Sequence, residues 1–243
     1  MRAISIIFRR EMSAYLRSPV GYLIAAIGLL VNGLWFQNIA LGTNAPKLSA
    51  EVLARFFFTS SLITMVLGFL ISFLAITIER QQNTIVLLNT SPVRDLEVVL
   101  GKFFAAMLFM IGIVLFTLYI PILIYLRGKV SGGQILVGYI GLILAGGAGV
   151  AVGLFASATT KHWLVAVGIG VLIGAVLFSL AKLSGRLDPP LQTVVYQLDI
   201  WEAHFQQSFM RGILNLKDVV YYLATTYFFL LLATKTMEAK RWQ

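Results

Sequence analysis

Six long stretches of this sequence carry no charged side chain. They lie between positions 17 and 47, 55 and 79, 102 and 127, 129 and 161, 162 and 182, and 218 and 235. Crossing the hydrocarbon core of a bilayer takes about 20 apolar residues. Backbone polar groups in lipid must be satisfied within the chain, which leaves helices or closed barrels. The runs are continuously apolar rather than alternating, so helices are predicted and barrel strands are not. The spans are placed at 20–39, 57–78, 103–126, 134–158, 163–181 and 219–234. The last is short and is expected to borrow a turn at either end, with Lys217 and Lys235 snorkelling to the interface. The first is too long for a removable signal peptide and is followed by no small-residue cleavage pattern.

Composition agrees with this and narrows the function. Apolar residues make up 59% and charged residues 12%, against about 45–50% and 25% in a soluble domain. Too few charges remain to cover a water-facing surface, which excludes a soluble enzyme and a disordered tail. The absence of cysteine excludes a disulfide framework, a thiolate metal site and a cysteine nucleophile. A net charge of +9 would suggest nucleic acid in a soluble protein. Here the basic residues lie between apolar runs, and anionic lipid headgroups are the simpler partner. No repeat or linker divides the chain, so 1–243 is read as one transmembrane domain. An even number of spans puts both termini on one side. Arg2, Arg9, Arg10 and Arg17 before the first span assign that side to the cytoplasm.

Residues 1–18 form an amphipathic pattern. Ile4, Ile7, Phe8, Met12, Tyr15 and Leu16 share one side of a helix and the arginines the other, as in a helix lying in the inner interface. Ser18 and Pro19 break it before the first span. Glu11 falls in the middle of the apolar side, where a carboxylate is costly unless paired. It either reaches a neighbouring arginine or water, or pairs with a basic group of the cytoplasmic loop or a partner subunit.

That loop, 79–102, reads as two short helices at a bend. Ile85, Leu87 and Leu88 make the first more apolar than a solvated connector needs. Ser91 and Pro92 have the form of a helix start, with Asp95 and Glu97 near its positive end. Such an element is either a membrane-hugging connector or a docking surface for another protein.

Its pattern, E-R-x-x-x-T-I-x-L-L-x-T-S-P-V-x-D-x-E-V-V-L-G-K, resembles the loop between the second and third spans of type-2 ABC transporter permeases. R-R-E-x-x-x-Y-L-R-S-P-V-G-Y at 9–22 resembles the interfacial helix of the same family and the start of its first span. H-F-x-x-S-F-x-R-G-I-L-N-L-K-D-V-V-Y-Y-L at 204–223 is similar to the gliding-motility-associated and copper-processing branches. The resemblance implies an all-α inner-membrane permease subunit. Asn83, Thr84, Ile85, Val86, Leu87 and Leu88 would be the coupling helix seated on a separate ATPase subunit, which binds ATP and Mg. Glu79, Arg80, Ser91, Pro92 and Asp95 would support that loop, and Arg9, Arg10 and Glu11 would belong to the interfacial helix. Glu79 and Arg80 match the family's Glu-Arg pair, and their alternative reading is as ordinary residues at the end of a span. Asn83 stands where the family usually has Gly, and asparagine tolerates a left-handed bend. Val86 stands where an acidic residue is common. One such chain is half a permease, so a second, identical or similar half is implied, and a periplasmic auxiliary subunit is compatible with it.

The sequence holds no G-x-x-x-x-G-K-[ST], so any ATPase must be another polypeptide. The predicted spans contain no Asp, Glu, Lys or Arg, which disfavours an ion-coupled carrier. No catalytic or metal-binding residue is assigned; His162 is read as interfacial, and His204 has no second ligand beside it in sequence. Gly149 with Gly153, and Gly170 with Gly174, are small-residue pairs for close packing within the chain, or for a hinge or subunit interface. Pro121 is expected to kink the third span. Asn32, Thr64, Ser72 and Thr117 either face a central pathway or bond their own helices. In the outer segment 183–217, Tyr196, Trp201, Phe205 and Phe209 fit an interfacial or re-entrant helix. Two functional readings follow from the resemblance: ATP-driven export between two permease halves, or transmission of force to a periplasmic partner without transport, as in a gliding-motility accessory complex.

Overall fold

The computed structural model describes residues 2–41, 49–82, 93–128 and 130–240. Among the described residues it is helical with no strand, and six helical stretches are long and apolar enough to cross a membrane. The elements are α1 (Arg2–Arg17), α2 (Pro19–Trp35, continued by a π-turn Phe36–Leu41), α3 (Ser49–Ser72), α4 (Thr77–Gln81), α5 (Asp95–Phe116), α6 (Tyr119–Arg127), α7 (Gly132–Thr159), α8 (Trp163–Ser184), α9 (Leu191–Gln197) and α10 (Leu216–Lys240).

The helices run further than the predicted spans. α3 begins at Ser49, before Arg55, and α10 runs from Leu216 to Lys240 rather than ending near 234. Hydropathy marks where a chain lies in hydrocarbon, but a helix stops only where capping stops it, so charged turns are carried past the apolar core. The third span is broken between α5 and α6. Pro121 has no N–H to offer the carbonyl four residues back, that of Thr117, and the break falls there. Ser18 caps α2 by accepting the Val20 N–H at 3.2 Å, with Pro19 at the first helical position.

α3 and α7 form the centre of the bundle. They bury 61% and 67% of their most apolar windows inside the chain, whereas α2 and α8 bury 17%. The close approach is made by glycines. A Cβ on Gly68 would stand 2.5 Å from the Gly146 carbonyl oxygen, and Cβ atoms on Gly149 and Gly153 would fall on the backbone oxygen of Met65 and the Ser72 hydroxyl. The first small-residue pair is thus an internal seam. In the second, Gly170 lies against the Phe69 ring, while nothing stands within 4 Å of a Cβ on Gly174.

The four polar span residues are buried within this chain. Asn32 Nδ2 donates to Ser60 Oγ at 3.1 Å, joining α2 to α3. Ser72 Oγ bonds the Gly68 carbonyl at 2.8 Å, and Thr117 Oγ1 bonds that of Val114 at 2.7 Å and lies 3.0 Å from the Tyr139 hydroxyl. Thr64 packs beside Gly146.

At the end of the bundle away from the termini, the segment after α8 folds inward. Phe205 and Phe209 are fully buried, so the apolar face of this piece packs into the bundle. Asp199 holds it by accepting backbone N–H groups of Ala181 at 3.1 Å, Trp201 at 2.8 Å and Glu202 at 2.5 Å. Trp201 Nε1 donates to Ser61 Oγ at 2.9 Å rather than to headgroups. His204 stands between Asp218 Oδ1 (Nδ1, 2.6 Å) and the Gln197 carbonyl (Nε2, 2.9 Å), and it stacks on Tyr221.

The glycine seam generates a stability prediction. Gly149→Leu drives a side chain into the α3 backbone and should cost about 1–3 kcal/mol. Gly33→Leu, on open α2 surface, should stay within about 0.5 kcal/mol. Thermal melting of the two purified variants in detergent measures the difference.

Candidate coupling site

The second span is interrupted at its terminus-bearing end. α3 stops at Ser72, residues 73–76 form a tight turn, and α4 runs over Thr77–Gln81. Breaking a helix inside the bundle frees backbone groups that would be costly unpaired. Two other helices supply the partners. From α7, Ser157 Oγ accepts the Ile76 and Thr77 N–H groups at 2.8 and 2.9 Å, and the Thr77 hydroxyl donates to the Ser157 carbonyl at 3.1 Å. From α5, Lys102 Nζ donates to the Ala75 carbonyl at 2.8 Å.

Lys102 is only 1% exposed, although it carries a charge. Its ammonium hydrogen-bonds two acceptors and pairs with a third oxygen. Besides Ala75 these are Glu11 Oε1 at 2.9 Å and Glu79 Oε1 at 3.0 Å. Arg10 closes the cluster from the rim, with Nη2 2.6 Å from Glu11 Oε1 and 2.5 Å from Glu79 Oε1. Burial pushes the Glu11 carboxyl up, but Lys102 and Arg10 together outweigh it and hold the group below the usual carboxylate range. Both readings of Glu11 therefore apply at once: it binds the neighbouring arginine and a lysine at the end of the loop.

Packing places α1 for these interactions. Ile7 and Ile4 lie over Gly101, where a Cβ would stand 2.8 Å from Ile7 Cβ. Tyr15 stacks on Phe109 of α5, with centroids 5.2 Å apart, and its hydroxyl donates to the Ile71 carbonyl at 3.2 Å. Burial, reinforced by the charge of Glu11, raises the Tyr15 phenol pKa. Leu16, assigned to the apolar side, is 52% exposed, because the packed stripe follows Ile4, Ile7 and Tyr15 instead. α1 is thus docked on protein along one stripe.

The predicted site residues fall into three groups. Glu79 and Arg10 join Glu11 and Lys102 in the cluster, and Arg9 is exposed. Arg80 is buried one position on, outside the cluster, and Asp95 lies in the first turn of α5. Asn83, Thr84, Ile85, Val86, Leu87, Leu88, Ser91 and Pro92 lie outside the described residues. The start of the second loop helix is displaced. Val93 and Arg94 are non-helical, Arg94 is extended at the N-cap, and its N–H donates to Glu97 Oε2 at 3.2 Å, so α5 begins at Asp95. A glutamate at the third helical position defines that start more strongly than the upstream Ser and Pro. Sequence places Lys102 at a span boundary; its role is not visible there because both carboxylates are remote in the chain. The signal that points to it is Glu11, a carboxylate on an apolar face.

The described geometry flanks 83–92 on both sides. α4, at its start, is tied to α7 through Thr77 and Ser157; α5 is tied to α1 through Lys102 and Glu11. A model of the family described as ABC-2 family transporter protein matches residues 8–180, well over half the chain. The chain belongs to this ABC-2 transporter family. It is therefore a multi-pass membrane permease subunit of an ABC transporter, a class that works with a separate ATPase subunit. Among curated proteins nothing matches it.

Two predictions test the cluster. Lys102→Met leaves two carboxylates without their buried cation, with Arg10 still at the rim, and should cost about 3–5 kcal/mol, while adding Glu11→Gln and Glu79→Gln to it should restore most of the melting temperature. Glu11→Gln alone should lower the melting temperature at pH 7. Because the Glu11 pKa is depressed in the folded chain, its contribution is present above the ordinary carboxylate pKa and lost as pH falls through the folded value. The gap between wild type and Glu11→Gln should therefore close below pH of about 4.

Proposed function

We propose that this chain is one half of an ABC exporter, paired with an identical or similar half in the bacterial inner membrane with both termini in the cytoplasm. A separate ATPase seats residues 83–88 in a cleft. The observation that carries this reading is the Lys102 cluster, which joins the segment after 83–92 to α1 and to the interrupted end of the second span.

The mechanism is mechanical. ATP-driven closure of two ATPase subunits displaces 83–88, and the displacement reaches the membrane by two routes. Through α4 it meets α7 at Ser157. Through α5 it meets α1 and the Ala75 turn at Lys102. A buried ammonium held by two hydrogen bonds and a further ion pair is stiff, because breaking any one of these contacts leaves a charge under-solvated. Binding at the ATPase can bias the permease only through interactions that differ between its two states, and these flanks are where such differences would enter. The exported substrate crosses between the two halves, since the polar residues inside this chain are taken up in its own packing.

The test is a pull-down of the tagged chain from mild detergent, scored for a co-purifying ATPase with a P-loop. Wild type should bring one down, and Leu87→Asp and Leu88→Asp should lose it by at least tenfold while keeping the wild-type melting temperature. If wild type captures no ATPase, or the variants capture it equally well, the docking assignment fails.

A further inference from the structure

Three residues on the terminus-bearing end form a group of cations that the coupling site does not use. Arg80 is 7% exposed, and its guanidinium makes no ion pair among the described residues. The adjoining positions 83–92 contain no acidic residue. Lys240, at the end of α10, donates from Nζ to the Thr159 carbonyl at the end of α7. Lys161 follows in the turn before α8, and Arg80 and Lys161 are the charges that bear on the Lys240 ammonium. The Thr77–Ser157 bonds fix Arg80, one turn further along α4, to this same end of α7. A guanidinium on a largely buried side chain, its nitrogens still accessible, beside two ammonium groups and with no carboxylate supplied by the described chain, calls for an anion. Arginine with lysines is a phosphate-binding set.

A second feature lies on the same helices. A cavity of about 420 Å³, open at its side, runs between α3, α7 and α8. Met65, Phe69, Val152, Val167, Gly174 and Phe178 are among its walls, and no charged residue lines it. Water is excluded from such a cavity for want of polar partners. At about 30 Å³ per water-sized unit, it holds on the order of 14 such units, the size of a single acyl chain. The cavity and the cations are in register. Val152 stands seven residues before Thr159 on α7, about 10 Å along the axis. Val167 stands four residues after Trp163, the first residue of α8, which is half-exposed and of the type enriched at membrane interfaces.

We propose that one anionic phospholipid of the leaflet facing this end is a bound component of the protein, its phosphate on Arg80, Lys161 and Lys240 and one acyl chain in the α3–α7–α8 groove. The polar group and the apolar cavity each lack a counterpart in the described chain, and one lipid supplies both. It fills the flank of α8, a helix with little support from its own chain, and it bridges α4 to α10 beside the interrupted second span. The lipid is structural and does not depend on the export reading.

The purified full-length chain, stripped of lipid and offered dipalmitoyl phosphatidylglycerol in mixed micelles, is weighed intact by native mass spectrometry. One phosphatidylglycerol should stay bound per chain, and dipalmitoyl phosphatidylcholine should bind at least tenfold more weakly. Arg80→Gln combined with Lys240→Gln should weaken retention at least tenfold. Gly174→Trp, which fills the groove from a position with no neighbour for its Cβ, should do the same. If either variant does not fold, Lys240→Gln alone and Gly174→Leu give the same reading at reduced amplitude. Equal retention in all variants overturns the proposal. Displacement of the lipid by inorganic phosphate, together with indifference to Gly174→Trp, assigns the cations to a free anion and also overturns it. So does separation of two copies by Gly174→Trp with lipid retention unchanged, which makes the groove a subunit seam. Loss of a co-purifying ATPase in Arg80→Gln/Lys240→Gln with lipid retention unchanged overturns it too, by assigning the cations to a partner's carboxylates.

Discussion

A single buried ammonium organises the terminus-bearing end of this protein. Lys102 brings together three groups from different parts of the chain: the freed Ala75 carbonyl of a broken span, the Glu11 carboxylate on an otherwise apolar helix face, and Glu79 within α4. Arg10 pairs with both carboxylates from the exposed rim, and the lysine is their buried partner. The lysine is only 1% exposed and places its Nζ among them. Such clusters are rarely favourable against a well-packed apolar replacement. Their value lies in specifying one arrangement of α1, α4 and α5, which is what the proposed coupling requires.

The interruption of the second span gives that junction something to act on. A continuous helix would carry a displacement along its axis without bending. Here the chain turns at 73–76, and the turn is held by Ser157 on one side and Lys102 on the other. Below the turn, α4 leads to 83–92; above it, α3 is locked to α7 by a glycine seam with no room for a methyl group. Under the proposed coupling, motion introduced below meets a rigid pair above. The compliant elements are those with little of their own surface buried, α2 and α8, and these are the helices left to face lipid or a second half.

Much of this is legible in the sequence because a membrane imposes one dominant rule. Stretches without charge have to be spans, and all six are helices. Their ends are less legible, since hydropathy does not see capping: α3 and α10 overrun their predicted limits, and α5 starts at Asp95, where Arg94 and Glu97 cap it. Glu11 announces a buried partner by its misplacement on the helical wheel. Lys102 and Glu79 do not, because they look like boundary charges, and only the fold brings the three within 3 Å. Phe205 and Phe209 fit an interfacial helix as well as a re-entrant one, because composition cannot tell a surface helix from one folded back inside. Asp199 gives no sign of its role, since it works with backbone N–H groups that leave no trace in the sequence.

The central claim is that α1 and α5 move as one body because Lys102 joins them. The chain has no cysteine, so pairs of spin labels can be placed cleanly among Ile6, Leu96 and Ala239, all exposed. Distances should be measured in the complete transporter, without nucleotide and with ATP trapped. The account predicts that the Ile6–Leu96 distance stays fixed while Leu96–Ala239 shifts as the ATPase closes. A shift in Ile6–Leu96 as large as that in Leu96–Ala239 would contradict it, since α1 would then move independently of the helix to which the lysine is meant to bind it.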